Sequence, residues 1–331
     1  MTVAAGLVVT ASEDGCAYGV DAADGTLRWK VTGARCVART YPAIAGGRVF
    51  LYTRDRDLLA LDAADGSTLW RRQGLGGEPG SFPQVAGDVV MCGRWRVHGV
   101  LADSGTNAWA PGPPHSVFPR FSPRHGNHAY VTTREFLDTG KLWELNVNTG
   151  RLRPLLSAMR GIDTSPVTGH GLVFTASGDG TELAIDPRNA AVHWQDRMGR
   201  RLRWTPGYRP SAPTVAGGRI WAAGPDCRVH ARNARDGADH RTFGINAWSS
   251  PVPAGDLVCV MATDGAVYAL ADASPSPRWV LRTAAHGSDP AMVAPAVAAG
   301  VLYVGSPDRH LYAFEIARVP PGVHEAARGG W

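Results

Sequence analysis

The 331-residue chain contains few lysines, few charged residues and no long apolar run. Lys30 and Lys141 are its only lysines, so arginine carries almost all the positive charge behind a net charge of +5. The arginines are spread along the chain, which favours an arginine-rich coding bias over a nucleic-acid-binding stripe. No apolar stretch approaches the roughly 20 residues that span a bilayer, so no transmembrane helix is predicted.

Cysteine is also scarce. Five cysteines stand at scattered positions and form no Cys-x-x-Cys pair, which indicates free thiols in a reducing compartment rather than a disulfide framework. The first six residues contain no basic segment and no small-residue cleavage site. We therefore expect a cytoplasmic protein. The cysteines are Cys16, Cys36, Cys92, Cys227 and Cys259.

Catalytic and metal-binding motifs are missing as well. The chain contains no His-Glu-x-x-His, Gly-x-Ser-x-Gly or EF-hand loop, and its 11 histidines show no metal-ligand spacing. The glycine-rich stretch at 74–80 lacks the strand-to-helix context of a dinucleotide-binding loop. The sequence therefore predicts no metal site.

What the sequence does contain is an internal repeat of about 42 residues. The segment that begins at Pro42 recurs from Pro213, Pro251 and Pro295, weaker copies begin at three more prolines, and Met1 opens the first copy. This period is typical of one four-stranded propeller blade. The sequence thus predicts an all-β, eight-bladed β-propeller of four-stranded antiparallel blades over residues 1–318. The repeats begin at 1, 42, 83, 123, 166, 213, 251 and 295.

Each repeat carries the turn residues that a blade needs. A turn such as Gly46-Gly47 supplies the positive φ angles of a tight hairpin, and an Asp-x-x-x-Gly turn, as at 62–66, joins strands three and four. Four residues later most repeats have a tryptophan, which we interpret as a wedge between blades. These are Trp29, Trp70, Trp109, Trp194 and Trp279, whereas repeats four and six have Pro154 and Arg241. The tail, 319–331, is interpreted either as the last outer strand or as disordered.

The repeat resembles that of the pyrroloquinoline-quinone (PQQ) propeller family. The pattern Gly-x-Val, Asp-Gly, Tyr-Ala-Leu-Asp-Ala and Gly-x-x-x-Trp is clearest at residues 6–29 and 255–270. The family includes quinoprotein alcohol dehydrogenases, the propeller of an outer-membrane β-barrel assembly lipoprotein, and propellers attached to bacterial Ser/Thr kinases. The resemblance implies the fold over residues 1–318, but it does not imply one function, because function depends on sites carried by the fold.

The dehydrogenases of that family cover their cofactor with a disulfide between adjacent cysteines and hold Ca²⁺ or a lanthanide with carboxylate and amide groups. The present chain has no adjacent cysteine pair and no Cys-x-x-Cys-His haem site. We therefore expect no cofactor. PQQ with Ca²⁺, and hence a PQQ-dependent oxidoreductase, is the weaker alternative.

A binding site is expected on one face of the propeller, which we call the mouth face. It carries the turns between strands two and three of each blade and the connections from strand four to the next blade. The residues three positions before the repeat prolines include Arg39, Arg120, Asp163 and Trp248. A long connection at 197–209 adds Trp204, Tyr208 and Arg209. Close in sequence to the repeat prolines are also Tyr41, His286 and Asp289. The alternative is that these groups only solvate a water-filled channel.

The leading interpretation is a monomeric, non-catalytic scaffold that binds a protein or peptide at the mouth face. Its arginines would donate charge-assisted hydrogen bonds and its aromatic residues would stack. The expected binding residues are Arg39, Tyr41, Arg120, Asp163, Trp204, Tyr208, Arg209 and Trp248. The alternative is an enzyme of a specialised biosynthetic pathway that holds a small molecule at the mouth. Asp163, Asp289 or His286 would then act as acid or base. Nucleic acid is not the expected partner.

Overall fold

The fold was obtained as a computed structural model. It describes residues 1–12, 14–32, 35, 41–75, 82–110, 112, 117–134, 139–160, 162, 164–177, 179–199, 211–247, 249–282, 294–306 and 310–325. Within these ranges every regular element except one single-turn 3-10 helix is a β-strand. The fold class is an all-β, eight-bladed β-propeller, which confirms the prediction. The described part of the chain contains no helix with the length and hydropathy of a membrane span.

The chain divides into two compact units, Met1–Met159 and Arg160–Gly330. The first unit holds blades one to four. Blade one contains β1 (Thr2–Ala4), β2 (Leu7–Ala11), β3 (Ala17–Asp21) and β4 (Leu27–Val31). Blade two contains β5 (Ala43–Ala45), β6 (Arg48–Tyr52), β7 (Leu58–Asp62) and β8 (Thr68–Arg72). Blade three contains β9 (Gln84–Ala86), β10 (Val89–Cys92) and β11 (His98–Leu101). Blade four contains β12 (Val117–Phe121), β13 (His128–Arg134), β14 (Thr139–Asn146) and β15 (Leu152–Arg160).

The second unit holds blades five to eight. Blade five contains β16 (Val167–Gly169), β17 (Leu172–Ala176), β18 (Thr181–Asp186) and β19 (Ala191–Arg197). Blade six contains β20 (Thr214–Ala216), β21 (Arg219–Ala223), β22 (Val229–Asn233) and β23 (Arg241–Phe243). Blade seven contains β24 (Val252–Ala254), β25 (Leu257–Met261), β26 (Ala266–Ala271) and β27 (Trp279–Arg282). Blade eight contains β28 (Ala296–Ala298), β29 (Val301–Gly305) and β30 (Leu311–Glu315), followed by the 3-10 turn Ile316–Arg318 and by β31 (Gly322–Glu325).

The predicted turns form as the sequence indicates. In blade two, Gly46 and Gly47 have φ angles of +57° and +70°, which residues with a side chain adopt only with strain. At the next turn the Asp62 carboxylate accepts a hydrogen bond from the Ala64 N–H at 2.7 Å, and Gly66 takes a φ of +75°. These local devices fix the hairpin lengths, so the apolar residues of each strand face a neighbouring blade.

The hydrophobic core consists of layers between consecutive blades of each unit. In the first unit, Leu7, Val9, Val49 and Leu51 form one buried layer between blades one and two, and further layers lie between blades two and three and between blades three and four. The second unit has corresponding layers from blade five to blade eight. Each blade is therefore stabilised mainly by its neighbours.

The tryptophans act as the wedges that the repeat predicted. Four indole N–H groups each donate a hydrogen bond to a backbone carbonyl in the turn of the following blade, at 2.9–3.1 Å. The pairs are Trp29 with Ala63, Trp70 with Ala102, Trp109 with Val147, and Trp194 with Ala234. Trp279 is more deeply buried than these four, at 1% exposure, but its indole N–H finds no acceptor within the described ranges. At each of these four tryptophans, one hydrogen bond therefore joins consecutive blades.

The described part of the tail, residues 319–325, does not form the outer strand of blade eight. Residues 322–325 form β31, which pairs in parallel with β27 as a fifth strand of blade seven. The Gly322 N–H also donates to the Arg278 carbonyl at 3.1 Å. Within the described ranges blade eight consists of β28, β29 and β30 alone. Residues 326–331 lie outside these ranges.

Candidate functional site

Two of the residues predicted to bind a partner lie in the described part of the chain, Tyr41 and Arg120, and both are half-buried. Tyr41 lies two residues before the inner strand of blade two, and Arg120 lies on the inner strand of blade four, opposite Thr132. The other predicted residues lie outside the described ranges. These are Arg39, Asp163, Trp204, Tyr208, Arg209, Trp248, His286 and Asp289. Their roles, including the acid–base chemistry of the enzyme interpretation, therefore stay predictions.

Tyr41 packs against a residue that the sequence reasoning missed. Its ring meets that of Phe82 edge to face, with centroids 5.2 Å apart and an interplanar angle of 77°. This is the geometry that aromatic pairs prefer. Phe82 directly precedes Pro83 as Tyr41 directly precedes Pro42, so the same column of the repeat contained the signal. The inner part of the mouth face in the first unit thus carries an aromatic pair.

The turns between strands two and three of blades two and three carry a cluster of arginines on this face. Arg54, Arg56 and Arg96 are exposed, and the Arg94 guanidinium lies 4.7 Å from the centroid of the Trp95 ring. Trp95 is 49% exposed, which is unusual for so large an apolar side chain. We call this set the arginine–tryptophan surface: Arg54, Arg56, Arg94, Trp95 and Arg96.

A hydrogen bond joins these two turns, because the Gly93 N–H at the start of the second turn donates to the Tyr52 hydroxyl at the end of β6, at 3.3 Å. Tyr52 is buried, so the contact fixes one turn against the other. The sequence signal was an Arg-x-Arg at the same turn of consecutive repeats, Arg54-Asp-Arg56 and Arg94-Trp-Arg96. It was not singled out because spacing within one turn does not show which neighbouring turns are adjacent.

The acidic groups beside this surface are already paired. Asp55 forms ion pairs with Arg35 at 2.9 Å and with Arg71 at 3.2 Å, and Arg71 also binds the buried Asp57 at 2.6 Å. The local excess of positive charge affects His98. Burial lowers the pKa of its imidazole, and the charges of Arg96 and Arg72 lower it further. The surface is therefore positively charged and well suited to an anionic group.

A second polar cluster lies between blades five and six of the other unit. The guanidinium of Arg232, 2% exposed, binds Glu182 at 3.1 Å and Asp196 at 2.5 Å and donates to the Arg197 carbonyl at 2.8 Å. Burial raises the pKa of Glu182 to about 7, although the Arg232 charge acts in the opposite direction. Because one buried guanidinium binds both carboxylates, the cluster ties the two blades together.

A chain of two histidines lies in the same blade. His230 Nε2 is 2.9 Å from Asp226 Oδ1, and His230 Nδ1 is 2.8 Å from His240 Nε2. Because the Asp226 carboxylate can only accept, His230 donates from Nε2 and accepts from His240 at Nδ1. Burial lowers the pKa of both imidazoles, that of His240 to about 4. Both imidazoles are therefore uncharged at neutral pH.

The face opposite the mouth has a shallow cavity of about 520 Å³ between the turns of blades one and two. Apolar side chains such as Leu7, Ile44 and Leu69 line it together with Arg28 and Arg48. Arg28 is paired with Asp21 at 2.5 Å. The sequence analysis placed no residue here.

The described residues do not supply the donor set of a quinoprotein cofactor site. No group of three or more His, Cys, Asp or Glu side chains within the described ranges is arranged to hold a metal ion. The four cysteines in these ranges, Cys16, Cys92, Cys227 and Cys259, carry free thiols and belong to four different blades. No chemical step through PQQ or Ca²⁺ is therefore derived for this part of the chain.

Comparison with known proteins identifies the fold and the repeat. A family model described as outer membrane protein assembly factor BamB matches residues 1–111 and 93–318. No curated protein matches the sequence. BamB from Moraxella catarrhalis superposes with a TM-score of 0.67 at 18% identity, over 94% of this chain and 92% of that one.

Two further solved structures are similar. The computationally designed Ika8 protein gives a TM-score of 0.65 at 15% identity, over 87% of this chain and 86% of that one. A europium-containing methanol dehydrogenase gives 0.62 at 14% identity, over 93% of this chain and 80% of that one. An assembly factor, a designed protein and an enzyme thus share this architecture, so the structural likeness indicates the fold alone.

Proposed function

The chain belongs to the family of PQQ-like β-propellers whose model is described as outer membrane protein assembly factor BamB, and from this premise we propose that it is a non-catalytic scaffold that binds a protein or peptide through its mouth face. The family match and the BamB neighbour are consistent with a protein-binding scaffold. The arginine–tryptophan surface carries the proposal, because it combines an exposed indole with four arginines on two turns held together by a hydrogen bond.

Tryptophan and arginine are the residue types that most often dominate binding energy at protein interfaces. The Trp95 ring offers a large contact area, and the arginines can donate paired hydrogen bonds to carboxylates. The Tyr41–Phe82 pair extends the apolar area toward the inner strands. We infer that the partner presents an acidic segment with an apolar residue for Trp95.

The test begins with native mass spectrometry of the protein recovered gently from its own cells. Any protein that copurifies is identified, prepared pure and titrated against the wild type and against Trp95→Ala/Arg96→Ala. Loss of the Trp95 anchor and of a neighbouring arginine should weaken the complex by at least about thirtyfold, because together they contribute about 2 kcal/mol or more. The melting temperature should change little, since both side chains are exposed.

The matched control is Arg151→Ala/Arg235→Ala, which removes two exposed arginines from turns between strands three and four, on the opposite face. It should bind the partner as the wild type does. Equal binding by all three proteins would overturn the proposal, as would the recovery of a small molecule as the only ligand.

A cytoplasmic location, a monomeric state and the absence of a cofactor belong to the same proposal. Support for the location comes from the thiols of Cys16, Cys92 and Cys259, which are buried and unpaired. Cell fractionation with a mass-spectrometric assay of the intact protein addresses all three points. A membrane-bound pool, a dimer mass or a bound quinone would each contradict the corresponding part.

A further inference from the structure

Blade eight ends one strand earlier than the repeat requires. Its sheet consists of β28, β29 and β30, so β30 forms the outer edge within the described ranges. After Glu315 the chain makes a 3-10 turn and leaves for the edge of blade seven, where β31 pairs with β27. The position of the fourth strand beside β30 is therefore not taken by residues 319–325.

The other blades show which side chains meet at that position. Where strand four carries a tryptophan, the facing residue of strand three is small, because the indole ring lies over it. The pairs are Gly19 with Trp29, Ala60 with Trp70, Ala184 with Trp194, and Ala269 with Trp279. A Cβ atom added to Gly19 would lie 2.1 Å from the Trp29 ring. The converse does not hold, because blade six has the small Ala231 on strand three opposite Arg241 on strand four.

Ala313 occupies this small-residue position in blade eight. It pairs with Tyr303 across β29 and β30 as Ala60 pairs with Phe50 in blade two. Ala60, Ala184 and Ala269 are 0% exposed beneath their tryptophans, whereas Ala313 is exposed. Blade eight thus keeps the seat that a tryptophan covers in those four blades, and no described residue covers it.

The backbone of β30 is oriented to accept another strand. The Ile316 N–H donates inward to Gly300 at 2.9 Å, and the His310 carbonyl accepts from Ser306 at 3.0 Å. Because hydrogen-bonding directions alternate along an antiparallel strand, Leu311, Ala313 and Glu315 point their N–H and C=O groups to the open edge. At the positions that correspond to Ala313, the Gly99 carbonyl accepts from the Ala108 N–H at 2.9 Å, and the Ala269 carbonyl accepts at 2.8 Å from the Arg278 N–H, directly before β27.

We propose that the edge of β30 binds an extended segment of a protein partner as the fourth strand of blade eight, with an aromatic side chain of that segment packed over Ala313. An exposed edge strand is a template for pairing with another chain, and strand addition is a recurring mode of peptide recognition. Backbone hydrogen bonds supply affinity and the seat at Ala313 supplies specificity. This surface is distinct from the arginine–tryptophan surface and does not depend on the mouth-face proposal.

The chain contains its own probe for this site. A fluorescently labelled synthetic peptide of residues 64–73, Ala-Asp-Gly-Ser-Thr-Leu-Trp-Arg-Arg-Gln, copies the outer strand of blade two. Fluorescence anisotropy should report binding to the full-length protein, and amide exchange should slow at residues 311–315. The same peptide with Trp70→Ala should bind at least about tenfold more weakly, because it lacks the aromatic side chain for the seat.

Two substitutions at Ala313 test the backbone and the seat separately. Ala313→Pro removes the outward N–H, which an edge strand tolerates, and Ala313→Leu fills the seat. Each should weaken peptide binding at least about tenfold with little change in melting temperature. Ala317→Pro and Ala317→Leu make the same changes at an exposed alanine of the 3-10 turn and should bind as the wild type does.

A chain truncated after Glu325 completes the experiment. Equal binding by the truncated and full-length proteins supports the proposal. If only the truncated chain binds the peptide, residues 326–331 fill the edge in cis and the partner strand is excluded. Absence of binding by both proteins, or binding that is insensitive to Ala313, would equally overturn the proposal.

Discussion

The five wedge tryptophans occupy the same position of the repeat but do not make the same hydrogen bonds. Trp109 is 8% exposed and donates to the Val147 carbonyl at 2.9 Å, whereas Trp279 is 1% exposed without a described acceptor. The carbonyl that corresponds to Val147 in blade eight belongs to Ile316, which accepts from the Val319 N–H of the 3-10 turn instead. Because the Ile316 carbonyl is used within the 3-10 turn, Trp279 lacks the hydrogen bond that the other wedge tryptophans make to the following blade.

This difference predicts unequal effects of one substitution. Trp109→Phe and Trp279→Phe remove similar volumes, but only the first breaks a hydrogen bond and leaves a buried carbonyl without its donor. We expect Trp109→Phe to lower the free energy of unfolding by about 1 kcal/mol more than Trp279→Phe. Urea unfolding of both variants measures the difference. Equal losses would mean that the indole N–H groups contribute nothing to the wedges.

The histidine chain of blade six predicts a pH dependence. Burial lowers the folded-state pKa of His230, and that of His240 to about 4, below their ordinary value of 6.5. Because the unfolded chain binds protons more readily, this pair contributes stability above pH 6.5, and the contribution is lost as the pH falls toward 4. Glu182 acts in the opposite sense, since its raised pKa makes stability fall as the pH rises from 4.5 to about 7.

The two effects oppose each other, so only a variant can separate them. His240→Asn removes one titrating group and leaves Glu182 unchanged. We expect its free energy of unfolding to fall less than that of the wild type between pH 6.5 and 4.5. Urea titrations at four pH values measure both slopes. Parallel curves would show that the pKa of His240 is the same in the folded and the unfolded protein.

At the scale of strands and blades, the edge of blade seven depends on the tail. Val323 is 64% exposed, so β31 buries little apolar surface and contributes mainly backbone hydrogen bonds to β27. Removal of residues 320–331 should therefore lower global stability only slightly but should speed amide exchange in β27. Exchange in β23, the outer strand of blade six, is the internal control. Unchanged exchange at residues 279–282 would argue against the parallel pairing.

The sequence predicted the blades better than it predicted their edges. Glycine turns are local signals, and in blade two they occur at Gly46-Gly47 and Gly66 with the expected positive φ angles. The strand β31 had no such signal, because it follows two prolines and includes a single apolar residue. The strand with which β31 pairs depends on which sheet edge is open in the folded molecule. Parallel strands are not joined by a tight turn, so their pairing leaves no turn motif in the sequence.

For the whole molecule, the repeat was sufficient to predict the fold class but not the site. The mouth face follows from propeller topology, and the sequence analysis placed Tyr41 and Arg120 on it. The arginine–tryptophan surface was missed because it depends on the contact between two consecutive turns through Gly93 and Tyr52. Side chains from separate repeats become one surface only after the blades pack, so a column of the repeat cannot reveal it.

The charge distribution leads to a prediction about kinetics. The net charge of +5 is modest, but Arg56 and Arg96 lie on one exposed surface whose neighbouring carboxylates are already paired. An acidic partner should therefore be steered to this face, and its association rate should fall as salt is added. Salt between 0.1 M and 1 M screens such attraction strongly, since the Debye length falls from about 10 Å to about 3 Å over this range.

Stopped-flow mixing with the identified partner measures this effect. Arg56→Gln/Arg96→Gln should reduce both the association rate at low salt and its dependence on salt, while Arg151→Gln/Arg235→Gln should preserve both. The dissociation rate separates steering from contact, because a rim charge changes mainly association whereas a desolvated anchor such as Trp95 changes mainly dissociation. If both double variants lose salt dependence equally, attraction comes from the net charge of the molecule and the arginine–tryptophan surface has no special part in it.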